Sequence, residues 1–124
     1  MRVSEPLGPR TTFRVGGPAR FYTEVTTELA LTDALSRARA LGVPAFILGG
    51  GSNLLVADAG LEALVVRVAL RGLTFEDAAG VTTMRAGAGE PWDGAVEASV
   101  ARDLAGLECL SGIPGDVGAT PIQN

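Results

Sequence analysis

The chain has 124 residues, 47% of them hydrophobic, and a formal net charge of −4 at pH 7, which suits one ordinary globular domain with a real core. It contains no histidine and no lysine, so all ten positive charges are arginines, and it has a single cysteine. These counts exclude an internal disulfide, a Schiff-base lysine, histidine as metal ligand or general base, and a lysine-dependent phosphate loop; the negative balance argues against nucleic acid as a partner. No apolar run approaches the roughly 18 residues of a membrane span, because Arg67 and Arg71 break the most apolar stretch. Residues 1–10 lack the apolar segment of a secretory signal, so the expectation is a cytoplasmic protein without a membrane partner.

In chain order, "TFRVGGPARFYTEVT" alternates apolar and polar residues around Gly-Gly-Pro and predicts two short strands joined by a turn. Thr27 then suits a helix cap, with Leu31, Leu35, Ala38 and Leu41 at helical spacing until Gly42 and Pro44. "PAFIL" predicts a short buried strand, Ala63–Val68 another, and "VTTMRAGAG" a further one. Pro91 opens a second helix whose apolar face is Trp92, Ala95, Val96, Ser99, Val100 and Leu104, ending at Gly106. The last nineteen residues have four glycines, two prolines and no period, which predicts a structured loop. Alternating strand and helix favour α/β layers with a partly parallel sheet.

"LGGGSNLLVAD" places three glycines at the carboxyl end of the "PAFIL" strand, where ligands of such sheets bind. Bare backbone lets successive N–H groups converge on an anion. The run matches neither the dinucleotide fingerprint nor the lysine-bearing phosphate loop, and alone it also fits a tight turn. "SGIPGDVGATPIQN" is a second glycine cluster, carrying the hydroxyls of Ser111 and Thr120 and the amides of Gln123 and Asn124. Two such loops suit a long ligand with phosphates and rings; a rigid surface loop is the plainer alternative. Elsewhere, Cys109 has no activating neighbour and is expected to be a packed thiol, and Trp92 a core residue. Glu76, Asp77, Arg37 and Arg39 are expected as solvated charges, and Glu90 and Asp93 as favourable to a helix dipole.

"TTFRVGGPAR", "LGGGSNLLVAD", "RAGAGEPWD" and "GLECLSGIPGDVGATPIQN" resemble, in order and spacing, the amino-terminal part of the UDP-N-acetylenolpyruvoylglucosamine reductase (UDP-N-acetylmuramate dehydrogenase) family, from about Thr11 to Asn124. The resemblance implies an α+β, vanillyl-alcohol-oxidase-type FAD-binding domain. Its first subdomain would take about residues 1–70 and a truncated second one about residues 71–124, with the cofactor between them and the substrate-binding domain absent. It also implies that Gly49, Gly50, Gly51, Ser52, Asn53 and Leu54 wrap the pyrophosphate. Ser111, Gly112, Ile113, Pro114, Gly115, Gly118, Ala119 and Thr120 would follow the cofactor, with Gln123 and Asn124 near the flavin. Such enzymes take a hydride from NADPH through FAD to an enolpyruvyl UDP-sugar, in peptidoglycan synthesis. Their catalytic residues lie in segments beyond this sequence, so no catalytic residue is assigned and the 124 residues alone are expected to be inactive. Another FAD oxidoreductase of the same fold, or a non-catalytic binding module, are the alternatives.

Overall fold

The computed structural model describes residues 1–123, which divide into two compact units, Met1–Ala69 and the chain from Leu70 onward. In the first, β1 (Arg2–Pro6) leads through a 3-10 turn (Gly8–Arg10) to β2 (Pro18–Val25), α1 (Glu28–Ala40), β3 (Ala45–Leu48) and β4 (Leu61–Val68). The sheet order is β1-β2-β4-β3. β1 runs antiparallel to β2, and β4 is parallel to both β2 and β3. Its last strand in sequence is thus inserted in the middle, and Ala63 to Val66 are buried without a break, as a strand covered on both faces requires.

Each face has a different cover. On one, Val65 stands beside its register partners Tyr22 and Phe46, and Leu7, Leu48 and Val56 complete a cluster against which Leu54 also packs. The connection between β3 and β4 therefore supplies core side chains as well as backbone. On the other face α1 lies against β2, β3 and β4. Thr27 caps it, its hydroxyl oxygen accepting the Ala30 N–H at 3.1 Å. The buried residues of α1 are Ala34 and Ala38, while Leu35 and Leu41 are exposed. Small side chains four apart let the helix approach the sheet closely; of the expected line Leu31, Leu35, Ala38 and Leu41, Ala38 is buried and Leu31 half-buried, while Leu35 and Leu41 turn away.

The expected strand before Gly16 is absent. Residues 12–13 form a turn, followed by Arg14 at φ +55 and Gly16 at φ +111, a conformation that cannot continue a ladder. β1, which the sequence did not announce, is an edge strand with four of its five residues exposed, so it has no two-residue hydrophobic period to detect.

In the second unit β5 (Leu73–Ala78) and β6 (Val81–Ala86) form an antiparallel hairpin, followed by α2 (Trp92–Val100), a 3-10 turn (Glu108–Leu110) and α3 (Thr120–Gln123). Trp92, Ala95, Val96 and Ser99 are buried as expected, and the indole N–H donates to the Leu110 carbonyl at 2.7 Å. Val100 is exposed, and the helix stops there rather than near Gly106 because Asp103 is left-handed at φ +55. The terminal stretch, expected as loop throughout, carries the two short helical turns just named. Cys109 is exposed rather than packed; the 3-10 turn that carries it buries none of its residues and meets Trp92 through the Leu110 carbonyl. No helix among the described residues is long and apolar enough to cross a membrane.

β5 was missed because its hairpin turn is written Ala79–Gly80 and not Asn-Gly. Both residues have positive φ, +51 and +77, the backbone of the tight turn whose twist matches paired strands. An alanine there carries a steric penalty that asparagine largely escapes. Ala79→Asn is expected to raise stability by about 0.5–1 kcal/mol, read as a higher urea midpoint with an unchanged slope.

Candidate functional site

In the first unit the candidate site is built where β3 runs out into the glycine loop. Gly51 is buried at φ +75, and a Cβ on it would lie 2.1 Å from the Arg10 carbonyl oxygen. Beside this contact the Thr12 N–H donates to the Gly51 carbonyl at 3.0 Å. The segment around Arg10 is thereby docked on the glycine loop, backbone against backbone, which only a residue without a side chain permits.

The consequence is a one-sided loop. Gly51 uses its carbonyl inward, but among the described residues no hydrogen-bond partner is found for the main-chain N–H of Gly49, Gly50, Gly51, Ser52, Asn53 or Leu54, nor for the Ser52 and Asn53 side chains. Leu54 packs its side chain on the core cluster, so only its backbone is available to a ligand. Gly50 lines a polar cleft of about 450 Å³ together with Arg10, Thr11, Thr12 and Arg14. An FAD pyrophosphate, doubly negative and rich in acceptors, fits such a set of unpaired donors and cations.

Arg10, Thr11, Thr12 and Arg14 were not singled out as site residues in the sequence. The only signal for them was indirect: a chain without lysine must meet an anion with backbone amides and arginines. Arg10 is held in detail. Its Nε and Nη2 donate to Glu5 Oε1 at 3.1 and 2.5 Å, and its guanidinium lies 4.3 Å from the centroid of the Tyr22 ring. Arg2 Nη1 donates to the same oxygen at 2.9 Å. The hydrogen bond from Arg10 holds the Glu5 carboxyl below its ordinary 4.5, against the opposing effect of desolvation and with help from Arg2. The same bond raises the Arg10 pKa. The Tyr22 hydroxyl is buried with no partner among the described residues, and burial pushes its pKa up.

In the second unit the second glycine cluster is a different object. Its amides are largely committed to its own shape. Val117 N–H donates to the Glu90 carbonyl, Gly118 N–H to Ala88, and both Ala119 and Thr120 N–H to Asp116. Gly112 N–H donates to Asp93 Oδ1 at 2.7 Å, and the Ser111 hydroxyl to the same atom at 3.3 Å. Asp93 therefore ties this loop to the start of α2, and Glu90 accepts the Gly72 N–H at 2.7 Å; the roles expected of both at a helix dipole are overlaid by these bonds. The expectation that the second cluster would offer a set of open amides is corrected accordingly: Ser111, Gly112, Gly118, Ala119 and Thr120 have theirs engaged. Among the described residues the N–H groups of Ile113 and Gly115 have no partner, Pro114 is exposed, and Thr120 is buried with its hydroxyl donating to the Asp116 carbonyl. The Gln123 side chain and Asn124 lie outside the described residues.

Residues 19–124 match the protein family described as "FAD binding domain". The chain belongs to that family. FAD, the cofactor that the motifs implied, is therefore the one by which its family is described, and the mixed α+β architecture accords with it. As a member of this FAD binding domain family, the chain is also similar over almost all its length to curated reductases. It is 50% identical over 119 residues to the UDP-N-acetylenolpyruvoylglucosamine reductase of Saccharopolyspora erythraea, covering 95% of this chain and 32% of the relative. To the reductase of the same name from Nocardia farcinica it is 50% identical over 124 residues, covering 100% and 31%. The crystal structure of the reductase of that name from Thermus caldophilus matches 96% of this chain and 41% of its own, with a TM-score of 0.66 and 35% identity. The chain spans about a third of the length of the curated relatives it matches.

The Glu5–Arg10 pair sets a pH dependence. A carboxyl whose folded pKa is depressed contributes stability fully above its unfolded value, near 4.5 here, and loses it as pH falls through the folded value. Thermal melts of wild type and Glu5→Gln are expected to differ most above the ordinary carboxylate value of 4.5 and to converge as the pH is taken down through the depressed one.

Proposed function

We propose that this chain is the FAD-holding portion of an enzyme that uses NADPH to reduce UDP-N-acetylenolpyruvoylglucosamine to UDP-N-acetylmuramate, a step in making peptidoglycan precursors in the cytoplasm and so in cell-wall growth, shape and division. The observation that supports it most is the run of N–H donors from Gly49 to Leu54, without partners among the described residues, at the carboxyl end of a parallel strand, in a chain similar over 95% of its length to a reductase of that name.

In this reading Gly49, Gly50, Gly51, Ser52 and Asn53 hold the pyrophosphate, their amides meeting its oxygens without side chains in the way. Leu54 anchors the end of the loop in the core. Ser111, Gly112, Ile113, Pro114, Gly115, Gly118, Ala119, Thr120, Gln123 and Asn124 supply the remaining cofactor contacts, as shape and side-chain groups more than as amides. The second loop is stiff for a reason: Asp93 and the Ala88–Glu90 segment fix it before any ligand arrives, which lowers the ordering cost of binding. Bound FAD supplies the hydride-transfer chemistry, for which a chain without histidine or lysine has few groups of its own. Division of the domain into subdomains at about residue 70 belongs to the same proposal.

A graft tests it. This sequence replaces the matching segment of the Saccharopolyspora erythraea reductase. The expected product carries bound flavin and oxidises NADPH only when the enolpyruvyl UDP-sugar is present. A folded graft that takes up flavin yet shows no substrate-dependent oxidation contradicts the proposed reaction, and one that takes up no flavin contradicts the cofactor site.

A further inference from the structure

The cleft beside Gly50 contains a cation whose surroundings are more elaborate than a surface arginine needs. Arg10 has 28% of its side chain exposed. Glu5 grips one edge of its guanidinium through Nε and Nη2, and the Tyr22 ring lies against it. Tyr22 is itself only 1% exposed and sits in the core cluster, so this platform is rigid. Of the five guanidinium donors, those on Nη1 have no partner among the described residues. Side-chain entropy, the usual cost of using a long cation as a ligand, is therefore already met in the folded chain.

Arg10 precedes the Thr12–Gly51 hydrogen bond by two residues, and its own carbonyl is the oxygen that Gly51 approaches. The glycine loop and Arg10 are thus set against each other by backbone contacts, and both line the same cleft with Arg14. Glu5 and Glu24 both act on Arg10, while Arg2, Arg10, Arg14 and Arg67 stand around Glu5 and the cleft, so among these groups cations outnumber carboxylates.

We propose that Arg10 is a phosphate-binding residue of the glycine-loop cleft, presenting its free guanidinium edge to a nucleoside diphosphate, and that Glu5 and Tyr22 are its positioning residues. The assignment rests on the reading of the glycine loop as the pyrophosphate site. The pyrophosphate group, whether from FAD or free in solution, is the chemistry recognised; the flavin ring is not.

The test titrates the chain with FAD, riboflavin and inorganic pyrophosphate, following flavin fluorescence for the first two and heat of binding for the third. Arg10→Ala is expected to weaken FAD binding by roughly 10- to 100-fold, the loss of a charge-assisted contact, and to weaken pyrophosphate similarly while leaving riboflavin unchanged. Arg10→Lys restores part of the loss. Glu5→Gln, which keeps the shape and releases the grip, gives a smaller loss confined to the phosphate-bearing ligands. Undiminished FAD binding by folded Arg10→Ala, or an equal loss for riboflavin, overturns the assignment of Arg10 alone. A wild-type chain that binds pyrophosphate through Arg10 but no FAD overturns the cofactor reading and keeps the arginine; one that binds neither overturns both.

Discussion

Gly51 is where two stretches of backbone touch. With φ at +75 and the Arg10 carbonyl 2.1 Å from where a Cβ would stand, the loop after β3 can close on the segment after β1 only if this residue is glycine. That closure fixes three other features. It turns the Gly51 carbonyl inward to Thr12, brings Gly50 and Arg10 to one cleft, and lets Leu54 and Val56 complete the core over the sheet face that α1 does not cover. A loop that is both core and cradle has little freedom to change either role.

The two glycine-rich segments answer one compositional problem in different ways. A chain with no lysine has only amides and arginines with which to meet a pyrophosphate. The first segment leaves its donors open and stands beside arginines already set in place. The second, internally bonded through Asp93, Glu90 and Asp116, offers a stiff surface with few open amides. Open donors suit charge, whereas a fixed contour suits the less polar part of a long ligand.

How far the sequence disclosed this is a matter of which physics is local. The helix capped by Thr27, the strands β4 and β6 and the Trp92 face are written in short-range periodicity and could be read directly; β3 was legible as a strand but not as the sheet edge it is, with Leu48 its one buried residue. The "GGGSN" loop was found because glycine after a strand has a backbone meaning. What escaped depended on distant partners. β1 is recognisable only by its pairing with β2, and the burial of Ala34 with the exposure of Leu35 and Leu41 follows from how near α1 approaches the sheet. The grip of Glu5 and Tyr22 on Arg10 joins residues scattered through the first strands. The engaged amides of the second loop are of this kind too, since a sequence shows donors but not the carbonyls that take them.

Among the described residues the amides of Gly49 to Leu54 stand open for an anion, while most of those in the second loop are already bonded. Residue-resolved amide hydrogen exchange tests it most directly. Fast exchange is expected at Gly49–Leu54 and slow exchange at Val117 and Gly118 in the free chain, with the first group slowing when FAD is added. Protection of Gly49–Leu54 before any ligand is present would contradict it.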